Sequence, residues 1–176
     1  MNFFELTNAL KSKFGGDIKP LTNQSQDEGG AAFMALQVAA NSALKILKHC
    51  RDDSELSFDF LECIIAVDLG SSIELIYRIR SVKFGHKLNL SFLLESTSPQ
   101  INSVSRVWPV AVVYEAEIQE LFGVGFKEPA KELRKNFLPE GWEGFPLLKK
   151  YEYPKEFEGI VHEPMSDTIN KMDKAK

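Results

Sequence analysis

Cysteine is scarce in this chain. Only Cys50 and Cys63 occur in 176 residues, and they form no CxxC pair, so they are expected to be free thiols in a reducing compartment rather than a disulfide frame. Histidine is as sparse. His49, His86 and His162 stand far apart, and His49 beside Cys50 lacks the paired spacing of a zinc site. Long hydrophobic runs are missing too. The longest, Val107 to Tyr114, is about eight residues and Pro109 interrupts it, whereas a bilayer span needs about 20. The opening Met1-Asn2-Phe3-Phe4-Glu5 has neither a basic n-region nor an apolar h-region, so no secretory signal is expected. Charge of one sign is absent: 21 Lys and Arg against 25 Asp and Glu leave a net charge of -4. No global basic field therefore argues for nucleic acid or an anionic membrane surface. Motifs of nucleotide and hydrolase chemistry are lacking as well. Gly123-Val124-Gly125 has no third glycine and follows a helical pattern, so it reads as a helix stop rather than a dinucleotide fingerprint. No phosphate loop or nucleophile elbow occurs.

What remains is one domain's worth of ordinary globular sequence, 19.9 kDa with 44% hydrophobic residues. A chain of this length buries roughly 70% of its unfolded surface and needs no metal or disulfide staple. Phenylalanine is prominent, 13 residues against 4 tyrosines, which points to a well-filled core or a buried contact surface.

Phe3, Leu6, Leu10 and Phe14 recur at helical steps, with Asn2 and Glu5 at capping-box spacing and Gly15-Gly16 as the stop. An edge strand can form around Ile18, and residues 17–30 otherwise carry loop chemistry. Phe33, Leu36, Ala40, Leu44 and Leu47 predict a longer helix from about Ala31 to Cys50, with Arg51 to Ser54 as its exit turn. Three strands follow: Glu62–Leu69, β-branched and apolar, then Ser72–Ser81 and Lys87–Leu94, which alternate. Their joints, Gly70-Ser71 and Gly85-His86, are short enough for hairpins. A third helix is predicted from Trp108 to Phe122, with Pro109 in its first turn and Gly123 past its end. The fold expected is α+β: an antiparallel or mixed sheet of about four strands packed with two to three helices. Residues 1–125 form the compact domain. Residues 126–176, punctuated by proline and glycine, form an extended tail that takes its order from another surface.

Chemistry concentrates at two places. Glu115, Glu117 and Glu120 lie on the third helix, Glu117 and Glu120 on one face and Glu115 on another. They read as a solvated helix face, or as partly buried carboxylates needing partners such as Arg106 or Arg134, or as an acid and base pair. Lys131, Arg134, Lys135, Lys149 and Lys150 interleave with Trp142, Phe145 and Tyr151, and glutamates among them reduce the excess charge. A protein-docking strip fits this better than nucleic acid.

The run Glu115-Ala116-Glu117-Ile118-Gln119-Glu120-Leu121-Phe122-Gly123-Val124-Gly125-Phe126 is followed by Leu133-Arg134-Lys135 and by Gly141-Trp142-Glu143-Gly144-Phe145-Pro146-Leu147. In order and spacing it resembles the signature of the 30 kDa subunit of respiratory complex I, the NADH-quinone oxidoreductase. The resemblance covers about Phe58 to Pro154. The chain departs from the family pattern at Ala116, where the family has arginine, at Glu120 for aspartate, at Lys127-Glu128-Pro129 for Gly-His-Pro, and at Leu148-Lys149-Lys150 for Arg-Lys-Asp.

This resemblance implies a non-catalytic structural subunit in the peripheral arm of a proton-translocating NADH:quinone oxidoreductase. It would bind no cofactor, with NADH, FMN, iron–sulfur clusters and quinone held by partner subunits. It would dock on the 49 kDa-type subunit and beside the iron–sulfur subunits, peripheral on the cytoplasmic face of the plasma membrane if prokaryotic. The interface residues implied are Glu115, Glu117, Glu120, Phe122, Gly123, Phe126, Arg134, Trp142, Phe145, Pro146, Lys149 and Lys150. Related subunits occur in membrane-bound nickel–iron hydrogenases and formate hydrogenlyases. A reading of another class is a freestanding soluble enzyme using Glu117 and Glu120. The docking readings predict an exposed apolar strip along Phe122, Phe126, Trp142 and Phe145.

Overall fold

The computed structural model of the chain describes residues 3–15, 18–22 and 34–161. Asn2 with its capping-box role, residues 23–33 after Thr22 and the tail beyond Val161 lie outside them. Helix α1 (Phe3–Phe14) buries Leu6, Thr7 and Leu10, as its periodicity predicts. Strand β1 (Ile18–Thr22) follows and pairs antiparallel with β2 (Met34–Val38).

Strand β2 corrects the sequence reading. The expected helix over 31–50 begins outside the described residues, and from Met34 onward it is a strand, then a 3-10 turn (Ala40–Ser42), then helix α2 (Ala43–Asp52). Met, Ala, Leu and Gln favour helix intrinsically, but this segment sits between two strands. Its Ala35, Leu36 and Val38 are 2%, 0% and 2% exposed, so burial on both faces erases the alternation that marks a strand.

Strands β3 (Phe60–Asp68), β4 (Ser72–Arg80) and β5 (Lys87–Glu95) form the antiparallel meander expected. Strand β2 joins β5 in parallel, giving a five-stranded sheet of order β1-β2-β5-β4-β3. The sheet is thus mixed and one strand larger than expected. Its inner face carries the rows Ile64–Tyr77–Leu90 and Ala66–Leu75–Phe92. Tyr77 meets Phe92 edge-on at 5.3 Å. Leu6 and Leu10 of α1 and Ile46, Leu47 and Cys50 of α2 pack into the same core. Burial pushes the Cys50 thiol up to about 12, so it is an inert core residue. The outer face carries Cys63–Arg78–Asn89 and Ile65–Ile76–Ser91. There Glu62, at a β-bulge, forms ion pairs with Arg78 at 2.9 Å and with Lys87 at 3.2 Å.

After β6 (Gln100–Asn102) the chain turns into α3 (Ala111–Phe122). The helix begins three residues after the predicted Trp108, because Trp108 and Pro109 belong to a preceding turn: the Ala111 N–H donates to Trp108 O at 2.9 Å and Val112 N–H to Pro109 O at 3.4 Å. Trp108 Nε1 donates to Phe58 O at 3.2 Å and Tyr114 Oη to Glu62 O at 2.9 Å, which lays α3 along β3. Strand β7 (Gly125–Lys127) pairs in parallel with β6. A small hairpin, β8 (Glu156–Phe157) with β9 (Ile160–Val161), ends the described chain.

Tyr77 is fully buried, and its Oη has no hydrogen-bond partner among the described residues. Removing an unpaired buried hydroxyl relieves its desolvation cost, so Tyr77→Phe should leave stability unchanged or raise it by up to about 1 kcal/mol. Phe92→Ala should lose about 3–5 kcal/mol through the cavity it leaves. Urea unfolding of both variants checks this, and a Tyr77→Phe loss above about 1 kcal/mol would contradict it.

Candidate functional site: the α3 strap

Helix α3 carries little polar surface, and two of its three glutamates are buried. Glu115 is 0% and Glu120 4% exposed, while Glu117 is half-buried. The solvated-face reading therefore fails for Glu115 and Glu120. Their partners are also not the arginines expected. Buried carboxylates need donors, and here backbone amides and a serine supply them.

Glu115 Oε1 accepts the Val104 N–H at 2.8 Å, and Oε2 accepts the Ser103 hydroxyl at 2.6 Å. Because Ser103 gives its proton to the carboxylate, Ser105 donates to Ser103 Oγ at 2.7 Å, and Ser105 Oγ accepts the Ala130 N–H at 2.7 Å. A buried chain of hydrogen bonds thus joins α3 to the segment past β7. Burial pushes the Glu115 carboxyl above the usual range, against the pull of these donors.

Glu120 closes on the same segment further along. Its carboxylate accepts the N–H groups of Asn136 at 2.9 Å, Phe137 at 3.0 Å and Leu138 at 2.7 Å. Burial pushes this carboxyl up, but the three N–H donors and Lys135 outweigh it and hold it below the usual range. Two further ties follow. The Leu147 N–H donates to Leu121 O at 3.1 Å. The Lys149 N–H donates to Asp68 Oδ2 at 2.7 Å, while Asp68 Oδ1 accepts the Gly70 N–H. Those two backbone donors hold Asp68 below its usual range. Residues 130–149 therefore run as a strap over α3 and the end of β3, ordered by this chain's own groups.

Gly123 ends α3 at φ 73°, and a Cβ there would lie 2.5 Å from the Phe145 ring. Both the left-handed backbone and the ring contact require glycine. Phe145 is nonetheless 41% exposed. Trp142 packs against Phe157 at 4.9 Å and Tyr153 at 6.3 Å. Phe126, expected in an exposed strip, is instead 8% exposed within the core beside Ile101. Phe122 is half-buried against that core. Arg134, Lys149 and Lys150 are exposed and Pro146 is half-buried. The apolar surface is carried by Phe145 of the implied interface and by residues outside that interface, Phe137 and Leu147 on the strap, each 49% exposed, and Tyr153 just beyond it at 58%.

A cavity of about 370 Å³ lies between α3 and the strap, lined by Glu120, Arg134, Lys135, Trp142 and Phe145. Glu117 is not among its lining residues. Glu120's two oxygens are already taken by three backbone donors, so the two glutamates do not form an acid and base pair over this cavity. Among the described residues no group of three or more His, Cys, Asp or Glu is arranged to hold a metal ion. No described helix is long and apolar enough to cross a membrane.

A model of the family described as respiratory-chain NADH dehydrogenase, 30 kDa subunit, matches residues 36–157, more than half of the chain and all of the strap. The chain belongs to this 30 kDa subunit family. A relative from Chloroherpeton thalassium, itself a subunit of an NADH-quinone oxidoreductase, is 29% identical over 153 residues, covering 86% of this chain and 61% of that relative. The chain thus spans about three fifths of that relative's length. In fold, it matches a chain of the membrane-bound sulfane sulfur reductase, an archaeal respiratory membrane complex, with TM-score 0.69 at 18% identity, covering 97% of this chain and 91% of that one. It also matches the trypsin-resistant fragment of Nqo5, residues 1–134, with TM-score 0.55 at 17% identity, covering 75% of this chain and all of the fragment. The α+β fold expected for a 30 kDa family member is the one observed.

Opposite pKa shifts give the strap a defined pH response. Glu120 and Asp68 are held low, so the stability they contribute is full above about pH 5 and is lost as pH falls through their folded values. Glu115 is held high, so its contribution is full below about pH 4 and is lost as pH rises through its folded value. On acidification the strap should loosen before the core. The Trp142 indole N–H resonance should shift below about pH 4 while that of core Trp108 stays in place; simultaneous movement of the two would contradict this order. Independently, Gly123→Ala should cost about 1–2 kcal/mol for the left-handed backbone alone and displace Phe145. Denaturant unfolding and the Phe145 ring resonances check it, and a loss under about 0.5 kcal/mol would contradict the close approach.

Proposed function

We propose that this chain is a structural subunit of the peripheral arm of a proton-translocating NADH:quinone oxidoreductase. Its task is positional. It docks on the 49 kDa-type subunit beside the iron–sulfur subunits and keeps the electron-carrying chains in register from NADH toward quinone. It holds no cofactor and no active site of its own, and it reaches the cytoplasmic face of the membrane through the assembly.

The observation that carries this reading is the strap within the family-matched segment. It is anchored to its own body by Glu115, Glu120 and Asp68 and turns Phe137, Phe145 and Leu147 outward, with Tyr153 exposed just beyond it. Aromatic residues on a preordered backbone lose little entropy on docking, which suits a permanent interface. A second reading has the same module in a related respiratory membrane complex of the nickel–iron hydrogenase or formate hydrogenlyase kind. The more extensive of the two fold matches, to a chain of an archaeal respiratory membrane complex, favours keeping it.

Affinity purification of the tagged chain from its own cells tests both. Co-purification of flavin-, NADH- and iron–sulfur-binding subunits is the expected outcome. A nickel–iron large subunit without the flavin subunit would select the second reading, and recovery of the chain alone would overturn both.

A further inference from the structure

A second cavity, away from the strap's aromatic face, lies between α2 and the loop joining β6 to α3. Its volume is about 200 Å³. Lys48 and Arg51 form one wall, following Leu44 on one face of α2 at four- and three-residue steps. Arg106 and Lys127 form the other, from the turn before α3 and the end of β7. The floor is apolar, with half-buried Leu44 and buried Val107.

The charge in this groove is not balanced. Lys48 and Arg51 share one carboxylate, Asp52. Arg106 and Lys127 make no ion pair with a described residue, and Glu128 is the one carboxylate lining the groove. All four cations are exposed at the rim. This concentration stands on a chain of net charge -4, so it is a local feature and not a consequence of composition. Like charges held together around a low-dielectric cleft focus a positive potential.

We infer that this groove docks an acidic segment of a neighbouring protein in the assembly, its carboxylates reaching the two basic walls and its aliphatic stems lying on Leu44 and Val107. The inference rests on the assembly reading above for the existence of neighbours. Three features favour a carboxylate-bearing protein segment. The cations lie on two facing walls, which suits successive carboxylates better than a single small anion. The apolar floor suits side-chain stems. No aromatic residue lines the groove to stack a nucleic-acid base.

Two arms test it. In the first, the purified full chain is titrated with the peptide Glu-Leu-Glu-Glu-Leu-Glu and, separately, with inorganic phosphate, following the backbone amides of Arg106 and Lys127 by NMR. The peptide should bind and weaken as salt rises through about 0.15 M. The double variant Arg106→Glu and Lys127→Glu should bind about tenfold more weakly with an unchanged melting temperature, as both side chains are exposed. Arg106→Gln with Lys127→Gln should give an intermediate loss. Phosphate binding as strong as the peptide's, or equal peptide binding by the variants, would overturn the inference. In the second arm, the tagged double-Glu variant should leave the assembly at lower salt than the wild-type chain. A wild-type chain that brings down no partner counts against the assembly reading, while the peptide arm still decides the groove.

Discussion

The architecture turns on one helix whose buried carboxylates are satisfied by backbone N–H groups. An ionised carboxylate taken out of water must find donors or give up its charge. In α3 the donors are not the arginines expected but the chain's own loop and strap. Glu115 holds the turn that enters the helix and, through Ser103 and Ser105, the strap at Ala130. One turn further on, Glu120 holds the strap again at Asn136 to Leu138. The helix is pinned to β3 on one side and clamps the C-terminal segment on the other.

That constraint changes what the proline-punctuated segment means. Composition alone describes a tail that borrows order from another surface. Instead, residues 130–149 are laid out on the body by this chain's own groups, with aromatic, aliphatic and basic side chains turned outward. Preorganisation of this kind lowers the ordering cost of association. It also explains why the glycine after α3 is constrained twice, by its backbone angle and by the ring of Phe145 resting on it.

Much of the fold was legible in the sequence, because β4 and β5 alternate with period two, β3 is a short run of β-branched and apolar residues, and α1 keeps a period near 3.6. Strand β2 was not. It is central and buried on both faces, so it has no alternation, and its residues are good helix formers. The start of α3 was misplaced because Pro109 suits a turn as well as a first helical position. At the site, the carboxylates were visible as an oddity on an apolar helix. Their partners were not, since backbone amides 16 to 18 residues away leave no mark on a residue pattern. Phe126 read as exposed for a similar reason: its burial depends on the parallel pairing of two three-residue strands, too short to announce themselves.

The central claim is that the strap is ordered by its own chain. Amide hydrogen exchange on the isolated, purified chain tests this most directly, because each tie is a named backbone N–H. The amides of Ala130, Asn136, Phe137, Leu138, Leu147 and Lys149 should be protected in the absence of any partner. Exchange of all six at the rate of an unstructured peptide, with the β4 and β5 amides still protected, would contradict the account.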